Sequence, residues 1–175
     1  MPIYVYKTAD ETRGNIGEPV PISPVLIDDA DLQLVLPVGL HDLSMCCHFY
    51  QGTNSNFAAG VYWQLRFTGT IEPNLTTLTH YVRRANNAGT DGLISGRQNY
   101  GYLSGTNLTV YGSNTQVIFQ SGGTSSRGVI LMRGIIAVTV EGTLKLAWMK
   151  KSNTAGSGND QTLKEGSYIF TRELC

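Results

Sequence analysis

The side chains able to do chemistry are few and poorly grouped. His41-Asp42 and Ser44 lie close together, as a Ser/His/Asp hydrolase would need. In an extended segment, however, neighbouring side chains point to opposite faces, so the three do not converge. Ala155-Gly156-Ser157-Gly158-Asn159 matches only half of a nucleophile elbow. Cys46-Cys47-His48 suggests a metal or redox site, but zinc ligands come as spaced pairs and no second cluster follows. In a strand, Cys47 falls on the same face as Leu43, Met45 and Phe49, the usual place of a small buried thiol. Cys46 and His48 fall on the other face. Asp28, Asp29 and Asp31 lack the glycine and glutamate of a calcium loop and read as a turn. The 13 acidic residues offer no pair placed across a sugar. The chemistry therefore points to a protein without catalytic, metal or cofactor sites.

Composition narrows the partners. The 13 basic and 13 acidic residues cancel, so a general basic field for nucleic acid is absent. Charged residues make up 15% of the chain, against about a quarter in soluble domains. Low charge and zero net charge favour association over repulsion. No apolar stretch is long enough to span a membrane as a helix. The start, Met1 to Lys7, lacks the layout of a secretory signal, which predicts a protein made in the cytoplasm. Two sequons, Asn74-Leu75-Thr76 and Asn107-Leu108-Thr109, carry little weight without such a signal.

The elements that would position any site are strands. Short alternating or apolar runs are separated by clusters of Gly, Asn, Ser and Thr, and helical periodicity is nearly missing. Ile3 to Lys7 reads as an opening strand, followed by a polar stretch. Pro19, Pro21 and Pro24 then exclude a central strand. Residues 1–24 accordingly read as an extended N-terminal arm, and 25–175 as one domain. Within it, Leu32–Leu36, His41–Gln51, Ala59–Thr68, Leu75–Val82, Leu108–Tyr111, Gln116–Gln120, Gly128–Val140, Thr143–Met149 and Gly166–Arg172 read as strands. The run from Gly128 is broken by Arg133-Gly134. Arg84–Gly105 and Lys150–Gln161 read as long loops. Roughly eight to ten antiparallel strands suit an all-β, double-sheet jelly roll.

Both ends of the chain carry a resemblance. Glu141-Gly142-Thr143-Leu144-Lys145-Leu146-Ala147-Trp148, a polar loop, and then Thr162-Leu163-Lys164-Glu165-Gly166-Ser167-Tyr168-Ile169 with Phe170-Thr171-Arg172 resemble the closing strands of tailed-phage virion proteins. Lys7-Thr8-Ala9-Asp10-Glu11 and Leu26-Ile27-Asp28-Asp29-Ala30-Asp31-Leu32 are similar to the opening of the same proteins. Between Tyr50 and Val129 nothing matches.

The resemblance implies a tumour-necrosis-factor-like jelly roll that forms homotrimers and serves as a head decoration (cement) protein. Its implied partner is the major capsid protein and its place the capsid surface, after assembly in the host cytoplasm. On that view the arm residues Tyr4, Tyr6, Lys7, Arg13, Pro19 and Pro21 grip the shell. Tyr62, Tyr81, Tyr111 and Tyr168 are the expected trimer seam, because tyrosine is favoured at interfaces. The alternative is a receptor-binding knob of a tail or head fibre, whose loops at 84–105 and 150–161 bind a host glycan or protein.

Overall fold

The computed structural model describes residues 2–13, 26–51, 59–85, 91–94, 108–111, 116–119, 126–151 and 161–174. These form strands β1 (Pro2–Tyr6), β2 (Glu11–Arg13), β3 (Ile27–Leu36), β4 (Gly39–Gln51), β5 (Ala59–Phe67), β6 (Thr70–Ile71) and β7 (Thr77–Ala85). They continue as β8 (Asp91–Ile94), β9 (Leu108–Tyr111), β10 (Gln116–Phe119), β11 (Ser126–Val140), β12 (Gly142–Lys151), β13 (Gln161–Leu163) and β14 (Tyr168–Leu174). A single 3-10 turn, Pro73–Leu75, precedes β7.

Two antiparallel sheets face each other. The larger runs β1-β14-β4-β11-β7-β8, with β2, β13 and β6 attached; the smaller runs β10-β5-β12-β3, with β9 on β5. The pairs β3–β12, β4–β11, β5–β10 and β1–β14 bring distant parts of the chain together and wind it between the sheets. This is the jelly-roll wiring expected of the sequence.

Alternation explains the core. On β4, His41, Leu43, Met45, Cys47 and Phe49 are buried while Leu40 and His48 are exposed. On β5, Val61, Trp63, Leu65 and Phe67 all point inward. Trp148 of β12 meets Phe49 edge-on, with ring centroids 5.4 Å apart. Such inward faces, removed from water, supply the main driving force for joining two sheets.

Three expectations change. First, residues 2–13 are not an arm. β1 pairs along its length with β14, and β2 pairs with β13, so this segment is an edge of the larger sheet. Ile3 and Val5 pack against the core, which gives the segment a reason to stay. The prolines of the expected arm, Pro19 and Pro21, lie outside the described residues.

Second, Asp28–Asp31 do not end a strand. Lys145 faces Gln33 and Ala147 faces Asp28, so residues 29–32 bulge out of β3 opposite a single residue of β12. The turn chemistry is real, but the strand continues past it.

Third, Arg133-Gly134 does not break β11, which pairs with β4 and β7 straight through this point. Gly134 has φ of 155°, and a Cβ there would lie 1.9 Å from the carbonyl oxygen of Thr77. Only glycine lets β7 come this close.

Candidate interaction face and its internal staple

Two clusters of functional-type side chains stand out. The first is internal. Asp29 sits in the β3 bulge with no exposed surface, and its Oδ1 accepts the backbone N–H groups of Asp31 and Leu32 at 3.0 Å each. This aspartate-to-backbone bonding shapes the bulge. Its Oδ2 accepts the indole N–H of Trp148 at 3.2 Å and lies 3.0 Å from Lys7 Nζ. Lys7 also reaches Glu11 at 2.5 Å and Asp31 at 3.5 Å.

Arg13 closes the cluster from the other side. Its guanidinium lies 4.1 Å from the Trp148 ring centroid, pairs with Glu11 at 2.6 Å, and donates to the carbonyls of Ile27 and Trp148. Lys7 N–H donates to the Ser167 carbonyl at 2.7 Å, and Gly166 N–H donates to the Lys7 carbonyl at 3.0 Å. Asp10 accepts the Glu165 N–H at 2.8 Å and pairs with Lys164.

The electrostatics follow. Burial alone would lower the Lys7 pKa, but its hydrogen bonds and charge contacts with Glu11 and Asp29 raise it above the usual lysine value. Burial would raise the Asp29 pKa, but the bonds from Lys7, Leu32 and Trp148 hold it below the usual range. Both groups are therefore charged near neutral pH. The result is a staple that ties the N-terminal edge, the β3 bulge, β12 and the β13–β14 turn together.

The second cluster is external. Along one register row of the larger sheet, Tyr6 faces Tyr168, Tyr168 faces Cys46, Cys46 faces Leu131, and Leu131 faces Tyr81. In the next row Tyr4 faces Phe170. Tyr4 lies 5.6 Å from both Tyr6 and Tyr168, ring centroid to ring centroid. Tyr4 and Tyr6 are each 53% exposed, Leu131 is 39% exposed, and Tyr168 and Phe170 are half-buried. Large apolar groups gathered on a solvent face usually mark a place where something binds.

Cys46 Sγ lies 3.2 Å from His48 Nε2 on the same outer face. Burial pushes the Cys46 thiol pKa up, so the sulfur stays protonated and a weak nucleophile. Cys47, on the core side, is fully buried and raised further by the same cause. Among the described residues no group of three or more His, Cys, Asp and Glu gathers to hold a metal ion.

The residues expected from sequence are divided between these clusters. Lys7 and Arg13 belong to the internal staple, where neither can grip a shell: their side chains are 5% and 13% exposed. Tyr4 and Tyr6 stand on the external face, fixed in β1. Tyr168 joins them, and Tyr81 occupies the same row two strands beyond Cys46. Tyr62 of β5 and Tyr111 of β9 lie in the other sheet, opposite Met149 and Leu65. The sequence reading missed Phe170 and the roles of Asp29 and Trp148. The spacing Tyr4, Tyr6 and Tyr168, Phe170, each two apart, was the signal for one aromatic face.

The opening and closing segments of the chain meet in the staple. Lys7, Asp10 and Glu11 come from the opening segment, Asp29 and Asp31 from the next, and Trp148, Lys164, Glu165, Gly166 and Ser167 from the closing ones. These segments together hold the fold, and the external face is a separate property.

No family model matches this chain, and no curated protein matches it. Among solved structures it is similar to a chain of infectious bursal disease virus, Gx strain, at 10% identity and a TM-score of 0.21. That likeness covers 98% of this chain and 40% of the other, so this chain spans less than half of its length. A TM-score this low has no bearing on function.

Proposed function

We propose that the chain is a non-catalytic structural protein of a virion, a capsid decoration protein that works by binding the shell and other copies of itself. The observation that carries this reading is the external aromatic face: Tyr4, Tyr6, Tyr168 and Phe170 stand together on a rigid sheet. Of the charged groups nearest in sequence, Lys7 is turned inward and used for folding, while Arg172, two residues beyond Phe170, is exposed and pairs with Asp42. A face led by aromatic rings fits a protein surface better than a nucleic acid or a charged substrate. The opening and closing segments, which resemble phage virion proteins, supply the virion context. The zero net charge supports self-association.

The test is antibody-gold labelling of intact virions carrying the protein, viewed by electron microscopy. Gold spread over the head supports decoration. Gold confined to tail or fibre tips overturns it in favour of host recognition, and absence of gold from the particle overturns any virion role.

A further inference from the structure

We propose that β1 is a self-pairing edge: two copies of this chain join by antiparallel pairing of their Pro2–Tyr6 strands about a two-fold axis at Tyr4. This rests on reading the external aromatic face as the working surface, and it names the occupant of the strand edge that borders that face. β1 is the outermost strand of the larger sheet; β14 pairs with one side of it, and among the described residues nothing pairs with the other. A strand edge left unpaired is a template for another strand.

The composition of β1 selects a second copy as that strand. Its sequence is Pro-Ile-Tyr-Val-Tyr. Laid antiparallel against itself about Tyr4, it sets Tyr4 beside the partner subunit's Tyr4 on the outer face. On the core side it sets Ile3 beside the partner subunit's Val5. Aromatic pairs and β-branched pairs are both favourable across antiparallel strands. A slip of one residue would move every side chain to the wrong face, so the register is well defined. Pro2, which lacks an N–H, falls at the end of the paired stretch, where its loss is least felt.

Charge and area agree. β1 carries no charged side chain and the chain has no net charge, so two copies approach without repulsion. A strand set beside β1 covers the flanks of Tyr4 and Tyr6, which are half exposed, and of Ile3 and Val5. Several hundred Å² per copy falls below the ~800 Å² of a standard interface, which predicts a dimer of modest affinity.

The test uses the isolated full-length chain and is independent of where the protein sits on a virion. Analytical ultracentrifugation across a concentration series is expected to show reversible dimers. Tyr4→Lys, at an exposed position, is expected to weaken them at least ~10-fold, with an unchanged circular dichroism spectrum as the control for folding. Tyr4→Cys in a Cys175→Ser background places two thiols on the axis at a separation a disulfide can bridge. It should give a covalent dimer on mild oxidation. A strictly monomeric chain, a three-copy assembly without the Tyr4→Cys cross-link, or dimers insensitive to Tyr4→Lys would each overturn the proposal.

Discussion

The staple and the aromatic face share one strand and its continuation, yet they do opposite work. Along Pro2–Lys7, Ile3, Val5 and Lys7 turn inward, while Tyr4 and Tyr6 turn outward. Inward, an ion pair and its hydrogen bonds are fully shielded from water and fix the geometry of four chain segments. Outward, aromatic rings remain in water although no internal partner requires them there. The difference teaches that holding the fold and meeting solvent separate by face: residues that hold the fold lie on one side of the backbone, and exposed aromatic residues lie on the other.

Breaking the inner side should cost most. Asp29→Ala removes the bulge's two backbone bonds, the Trp148 bond and the most buried of the three carboxylates around Lys7. It is expected to destabilise by about 3–5 kcal/mol, the range for unpairing one half of a buried ion pair. Chemical denaturation would check this; a loss below ~1 kcal/mol would mean that the staple is ornamental. Deleting residues 2–13 should be worse still, preventing cooperative folding, because it removes β1, β2 and Lys7 together.

A smaller effect, of opposite sign, concerns Gln161. It is fully buried, and among the described residues both polar atoms of its amide lack a hydrogen-bond partner. Gln161→Leu is expected to raise stability by about 1–3 kcal/mol by removing that desolvation cost. A loss in the same denaturation measurement would show that the amide is used.

The staple should also give the stability profile two limbs. Asp29 titrates lower in the folded chain than unfolded, so its contribution is present above the unfolded value near pH 4 and is lost as pH falls through the folded one. Lys7 titrates higher when folded, so its contribution is present below about pH 10 and is lost as pH rises through the folded value. Melting temperature against pH should therefore be flat between these limits as far as this pair is concerned. In Lys7→Met the alkaline limb should shrink; an unchanged limb would remove Lys7 from the account.

On the outer side the smallest stability effect is expected. Tyr6→Lys should cost about 1 kcal/mol or less, the worth of one exposed aromatic contact.

Much of the fold was legible in the sequence. Alternation along β4, β5 and β12 marked both strand and core face, because one wet side and one dry side leave a period of two. The Asp-rich segment showed its turn chemistry, though not that β3 resumes in the same sheet. What stayed hidden was long-range pairing. Ile3 to Lys7 looked like a strand, but its partner β14 lies at the other end of the chain, and nearby prolines made an arm the simpler expectation. For the same reason the aromatic face could be glimpsed only in halves, Tyr4 with Tyr6 and Tyr168 with Phe170. The internal site was hidden because its parts come from four separate segments that only the jelly-roll wiring joins.

The most direct test of the central claim, that the outer face works while the inner staple only holds the fold, is co-sedimentation of the Tyr6→Lys, Phe170→Lys double variant with capsids lacking the protein. The account predicts a folded chain that stays in the supernatant while the unaltered chain pellets with the shells. A folded double variant that pellets as well as the unaltered chain would contradict it.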